Sequence, residues 1–281
     1  MEKDIDREKF KEKKRAELET LYDAVNEETL MIAEDQEKFS AYLRIQARFN
    51  RYTVTNAILL LHQFPDAQKL KTFEGWKRDK ASVKRGEKSI SILEPYSYTK
   101  ADGSMGKGFR IKKLFDISQT DVRMSPDPFL TGVSSRSLLR ALLEASPVET
   151  EAADTLDHGK DAVYDQKKQK IYIRRMLEPD DFFRAAAVSI AEAQLAEQGS
   201  SQDELESKAK ATAFMLCVKY GIDPGSLRAK MPGATARMEI KEIKAELSEI
   251  RKTFTSIADR ADESIRVQRK AGRERGHHEE R

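Results

Sequence analysis

The residues of this chain whose types and spacing suit ligand chemistry fall into two groups. In the first, Trp76, Tyr96, Tyr98 and Phe109 are interleaved with Lys77, Arg78, Lys80, Lys84, Arg85, Lys88, Lys112 and Lys113. Ring faces on which bases stack, set among cations that meet phosphates, are what sequence-tolerant binding of a single nucleic-acid strand requires. Trp76 has an equal claim as a core residue fixing a helix to a sheet. Lys84, Arg85 and Lys88 carry the alternative of a merely solvated face. Tyr52 and Asn56, one turn apart, read as a polar site or as a buried hydrogen-bonded pair, and the structural role is preferred. The second group is Glu192, Glu204 and Glu206 with His158, a set from which a metal-dependent peptidase with atypical ligands would have to be built. Four histidines and one cysteine give zinc little to work with and leave no internal disulfide. Cys217 lies in the apolar run 214–218 and reads as a buried structural thiol.

The elements that must position these residues follow from charge and periodicity. Residues 41–123 hold 17 lysines and arginines against 8 acidic residues, whereas 124–210 hold 11 against 16. The sign changes near the Pro/Gly/Ser-rich stretch 124–135, which reads as a linker between two units. Apolar residues at helical spacing predict one or two helices over 4–40 and a further helix from Ser40, as N-cap, to His62. Alternation over 89–93 and 109–112 predicts a β-hairpin with a long loop whose turn is Ala101-Asp102-Gly103-Ser104. Arg110 and Lys112 then share a basic sheet face, opposite Phe109 and Ile111. The second unit reads as a helix near 135–144, a short hairpin over 162–164 and 170–174, and helices over 179–198 and 201–220, with Gly221 as C-cap. From Ile240 to Ala261 the apolar spacing alternates three and four. That seam suits a coiled coil, self-association or a protein partner, or packing back on the body. The tail from Gln268 reads as disordered. No apolar run is long enough to span a bilayer and no signal core follows Met1, so a cytoplasmic protein without membrane contact is expected.

Residues 50–120 resemble the N-terminal domain of the ArdC family of anti-restriction proteins. The resemblance rests on Asn50-Arg51-Tyr52-Thr53-Val54-Thr55-Asn56-Ala57, Phe73-Glu74-Gly75-Trp76-Lys77, Val83-Lys84-Arg85-Gly86-Glu87-Lys88-Ser89-Ile90 and Leu114-Phe115-Asp116-Ile117-Ser118-Gln119-Thr120, in that order. It implies a domain that binds single-stranded DNA and shields DNA entering a cell during transfer, as mobile elements require. The candidate contact set is therefore Arg51, Tyr52, Trp76, Lys77, Arg78, Lys80, Lys84, Arg85, Lys88, Tyr96, Tyr98, Arg110, Lys112 and Lys113.

Many ArdC-like proteins carry a zincin-type domain after this part, with a helix bearing H-E-x-x-H and a later helix supplying a third ligand. The run 182–196 resembles that first helix, where related proteins read roughly H-E-I-A-H-A. Val188 then stands in the first His position, Ser189 in the Glu position and Glu192 in the second His position. Lys208, or less readily Lys210, stands where the third ligand belongs, and an ammonium there repels a cation. A salt bridge between Glu192 and Lys208 across the former site is one reading of the pair. An unrelated helical bundle is the plain alternative.

The fold expected is α+β: N-terminal helices packed on a small antiparallel sheet, then a helix-rich zincin-like α+β unit and a long C-terminal helix. The expected divisions are a charged helical segment (1–40), the single-strand-binding domain (41–123), a linker and helix (124–150), a degenerate metallopeptidase-like domain (151–225) and the long helix with its tail (226–281). No cofactor, metal or catalytic activity is expected. Single-stranded DNA is the expected partner. The rivals are the atypical peptidase and a coiled-coil interaction protein localised by its basic domain.

Overall fold

The computed structural model describes residues 2–100, 102–123, 129–156, 159–199, 202–225, 227–232 and 238–279. They fall into two compact units, the first drawn from within 1–45, 51–125 and 239–244, the second from within 46–50, 126–238 and 245–281. The class is α+β, with a small sheet in each unit.

In the first unit, α1 (Glu2–Glu34) stops before Asp35, whose Oδ1 accepts the amides of Glu37 and Lys38 at 2.7 and 3.0 Å. That cap starts α2 (Gln36–Arg48), so Ser40 lies inside a helix and its hydroxyl bonds the Gln36 carbonyl. The single helix expected over 40–62 is thus two helices. The second, α3 (Val54–Gln63), restarts at Thr53, whose hydroxyl accepts the Asn56 amide. Ala57 to Leu61 on α3 are buried with Val25 and Ile32 of α1 and Phe39, Tyr42 and Leu43 of α2.

A two-residue strand, β1 (Leu70–Lys71), and the short helix α4 (Phe73–Arg78), capped by Thr72, precede the hairpin. Its strands are longer than expected: β2 (Ile90–Thr99) and β3 (Met105–Asp116) pair in register from Ile90↔Leu114 to Thr99↔Met105. The connection is a tight turn, closed by Lys100 and Ser104, with Gly103 at φ +78°. Ala101 lies outside the described residues. The antiparallel sheet runs β1-β3-β2, so β2 is an edge, and this is where Pro95 is tolerated inside a strand. Two amides on α3 hold that edge. Asn56 pairs with both backbone groups of Leu93 (2.9 and 2.8 Å), and Gln63 with both of Ser91 (2.9 and 2.9 Å).

In the second unit, α5 (Ser135–Glu144) is followed by β4 (Glu149–Ala153), β5 (Ala162–Asp165) and β6 (Lys170–Arg174). The order is β4-β6-β5, with β4 parallel to the central strand. Then come α6 (Pro179–Glu197), α7 (Gln202–Tyr220), which ends with Gly221 at φ +73°, and α8 (Ile240–Glu279). Helix α8 continues through the tail expected to be disordered, a stretch rich in the strong helix formers Arg, Lys, Glu and Ala. Its seam is filled from within. Leu247, Ile250, Phe254, Ile257, Ala261 and Ile265 are at most 1% exposed. Arg260 donates to the Ala145 carbonyl and to Gln194, both at 2.8 Å, and the Tyr220 hydroxyl meets Asp262 at 2.9 Å. Of the alternatives for this seam, the one realised is packing back on the body. No helix among the described residues is long and apolar enough to cross a membrane.

Candidate nucleic-acid interface

The pleat of the hairpin puts Tyr98, Tyr96, Glu94 and Ile92 of β2 on one face with Gly106, Gly108, Arg110 and Lys112 of β3. Tyr96 and Tyr98 are 42% and 45% exposed, with ring centroids 5.8 Å apart. Next along the face, Glu94 joins both cations: Arg110 Nε at 2.8 Å and Lys112 Nζ at 2.5 Å. Hydrogen bonds from Lys112 and then Arg110 hold the Glu94 carboxyl below its usual range. Two cations sharing one carboxylate leave a net positive charge on the face.

The same face runs into a cleft of about 710 Å³ between the start of α3, the β1–α4 segment and the hairpin. Arg51, Tyr52, Lys71, Arg78, Asp79 and Lys112 line it. Burial pushes the Tyr52 hydroxyl up, and a hydrogen bond from Lys71 holds Asp79 down. The cleft and the tyrosine face together gather Arg51, Tyr52, Arg78, Tyr96, Tyr98, Arg110 and Lys112 from the expected contact set.

The remaining members of the set lie elsewhere. Trp76 is 2% exposed, packed on Ala81 and Ile117, and its indole N–H donates to the Phe115 carbonyl at 2.8 Å, so its ring face belongs to the core rather than to a base. Lys113 is on the opposite sheet face from Lys112 and is bonded to Glu17 and to Ser91 Oγ. Lys84 reaches the Ser118 carbonyl at 2.9 Å. Arg85 and Lys88 are exposed, as are Lys77 and Lys80, and none of the five lines the cleft.

The second unit has its own cleft, about 530 Å³, between β5, α6 and α7. Val188, Ser189 and Glu192 line it together. Lys208 does not. Its ammonium is buried, 2% exposed, against Glu204, Glu246 and Glu249 at 2.9, 2.9 and 2.6 Å. Burial opposes that charge, yet the bonds it donates to the carboxylates raise its pKa. The salt bridge between Glu192 and Lys208 is therefore absent, because the two side chains point to different neighbours. Lys210 is the lysine that lines the cleft, paired with Glu206 at 2.5 Å. Burial pushes the Glu192 carboxyl up to about 7, with Lys160 the foremost opposing charge. Of the four carboxylates that line the cleft, Asp161, Asp181 and Glu206 are each paired with an arginine or a lysine, and Glu192 lies beside Val188 and Ser189. Among the described residues no group of three or more His, Cys, Asp or Glu is placed to hold a metal. His158 and residues 124–128 of the expected linker lie outside the described residues. Cys217 is fully buried, its thiol pushed up to about 12 by burial.

Residues 18–121 match the family model of the N-terminal domain of anti-restriction factor ArdC. Among solved structures, the metal-free and Mn(II)-bound crystal structures of antirestriction ArdC protein from R388 plasmid are similar. Each shares 15% identity, with TM-scores of 0.49 and 0.47, over 75% and 76% of this chain and 85% of the solved chain. No curated protein matches the chain.

Within the matched residues 18–121, those that carry the resemblance are anchors. Asp116 Oδ2 accepts the amides of Gln68 and Lys69 at 2.7 and 2.9 Å, tying β1 to the end of β3. Gln119 accepts the Asp116 amide at 2.8 Å and donates to the Lys88 carbonyl at 2.8 Å, fixing the loop that leads into β2. Asn56 and Trp76 act likewise. The features that sequence reasoning missed in the first unit are Lys71 and the pair Gly106 and Gly108. Lys71 sits in the unnoticed strand β1. The glycines alternate opposite Tyr98 and Tyr96 once the register is known, and the alternation itself was the available signal.

Proposed function

We propose that this chain is a sequence-tolerant single-stranded-DNA-binding protein of the anti-restriction, mobile-element type. The observation that carries the reading is the continuous surface of exposed Tyr96 and Tyr98, then Arg110 and Lys112, then a cleft bearing Arg51, Lys71 and Arg78. Bases stack on the rings while the cations meet phosphates, and neither contact distinguishes one base from another. The match to the ArdC N-terminal domain supports the same assignment. The second unit serves as a non-catalytic scaffold, a role supported by the pairing of most charges that line its cleft. The protein acts in the cytoplasm, where transferred DNA arrives as a single strand.

The test is fluorescence anisotropy with matched single- and double-stranded oligonucleotides at two salt concentrations. The expected result is tighter binding of the single strand, with affinity falling as salt rises because each neutralised phosphate releases counterions. Equal, salt-fragile binding to both forms would reduce the surface to a general polyanion patch.

A further inference from the structure

Resting on that reading, we infer that Gly106 and Gly108 build a two-base stacking platform by letting Tyr98 and Tyr96 lie flat across β3. A Cβ added to Gly106 would sit 2.6 to 2.9 Å from three atoms of the Tyr98 ring, and one added to Gly108 would sit 3.0 Å from three atoms of Tyr96. Each ring therefore occupies the space that a side chain would fill. Gly106 is buried on a strand whose neighbours Met105 and Lys107 are exposed, because Tyr98 covers it. The inner face of each ring is spent on the strand, and the outer face is held open in a fixed plane.

This arrangement makes the tyrosines different from two ordinary exposed rings. A tyrosine on a strand normally stands roughly perpendicular to the sheet and offers its edges and both faces to water. Here the rings are laid down and tilted 40° to one another, with centroids 5.8 Å apart. Bases in a duplex rise only ~3.4 Å per nucleotide along each strand. Two successive bases seated one per ring are therefore spread beyond duplex spacing, which a single strand reaches by unstacking and a duplex does not. The platform thus selects single strands by geometry, while Arg110 and Lys112, next on the same face, supply phosphate contact that either form accepts.

The platform separates stacking from charge, so its test does too. The full chain and three double variants are compared by anisotropy against an oligo(dT) strand, the same strand carrying abasic sites, and a duplex, with thermal melting of each variant alongside. In Gly106→Ala/Gly108→Ala the tyrosines remain but are lifted off the strand. In Tyr96→Leu/Tyr98→Leu an apolar cover remains without a ring. In Tyr96→Phe/Tyr98→Phe the rings remain. The expected result is a loss of at least ~10-fold in single-strand affinity for the glycine and leucine variants, none for the phenylalanine variant, and under about 2-fold change on duplex or abasic strand. If the glycine variant fails to fold, the leucine and phenylalanine pair carries the test, because both keep the glycines and the cover. Wild-type single-strand affinity in the leucine variant, or in a folded glycine variant, overturns the platform while leaving the single-strand reading intact. A wild-type chain without single-strand preference overturns that reading, and the platform with it.

Discussion

The two clefts of this protein treat their charges in opposite ways. In the second unit, most of the charged groups at the cleft are matched within the protein: Arg184 with Asp181, Lys210 with Glu206 and Asp161 with Arg174. The neighbouring Lys208 is surrounded by three carboxylates. In the first unit Arg110 and Lys112 divide one carboxylate, that of Glu94. Positive charge that the protein has not matched is charge offered to a ligand. An overall charge of +3 says little about this, since it averages a basic stretch over 41–123 with an acidic one over 124–210.

The largest effect that would break this contrast is at Lys208. Lys208→Met leaves three carboxylates around a missing cation and is expected to destabilise the second unit by about 3–5 kcal/mol, read by chemical denaturation. Single-strand affinity at temperatures where the variant remains folded should be unchanged. A fall in affinity would show that the second cluster also serves the ligand.

Next in size is the charge of the first cleft. Arg51, Arg78 and Lys112 changed together to Ala should weaken single-strand binding by roughly 100-fold at low salt and flatten the salt slope by about 2, from ~0.7 per phosphate contact. The same triple change at Lys84, Arg85 and Lys88, outside the cleft, should cost only a few-fold. The reverse ranking would move the strand's path to the loop before β2.

The smallest effect concerns Glu192. Its carboxyl, pushed to about 7 by burial, keeps its proton in the folded protein at pH values where the unfolded chain has released it. The stability this gives is fully present below the unfolded value of 4.5 and is lost as pH rises through about 7. Between pH 5 and 8 the second unit should lose on the order of 2 kcal/mol, a slope that Glu192→Gln abolishes, leaving the variant more stable than wild type at pH 8. Melting followed across that range checks it, and an unchanged slope in the variant would assign the titration to another group.

Much of this architecture could be read from the sequence, and the failures have physical causes. Helices α5, α6 and α7 and the β5–β6 pair follow from periodicity and from Gly221. The break between α2 and α3 was hidden because 49–53 is not a Gly/Pro stretch, and Thr53 caps with one hydroxyl. Strand β4 is mostly solvent-facing and polar, so it lacks an apolar signature. In the hairpin, alternation put Arg110 and Lys112 on one face and the interleaving of rings with cations singled out the tyrosines, whereas the choice for Trp76 between core and surface stayed open because composition does not say which side of a sheet is covered. The choice between Lys208 and Lys210 was undecidable locally. Each has a glutamate four residues before it, and two residues along a helix turn a side chain by about 200°, so only the packing of α8 separates them.

The closed edge of β2 carries one more consequence. Ser91 and Leu93 have both outward backbone groups taken by Gln63 and Asn56, and at the next such position Pro95 has no N–H to give. No other strand can be added along that stretch, neither from an unfolding neighbour nor from a second copy. Crowded copies of the chain therefore cannot join their sheets edge to edge along Ser91 to Pro95.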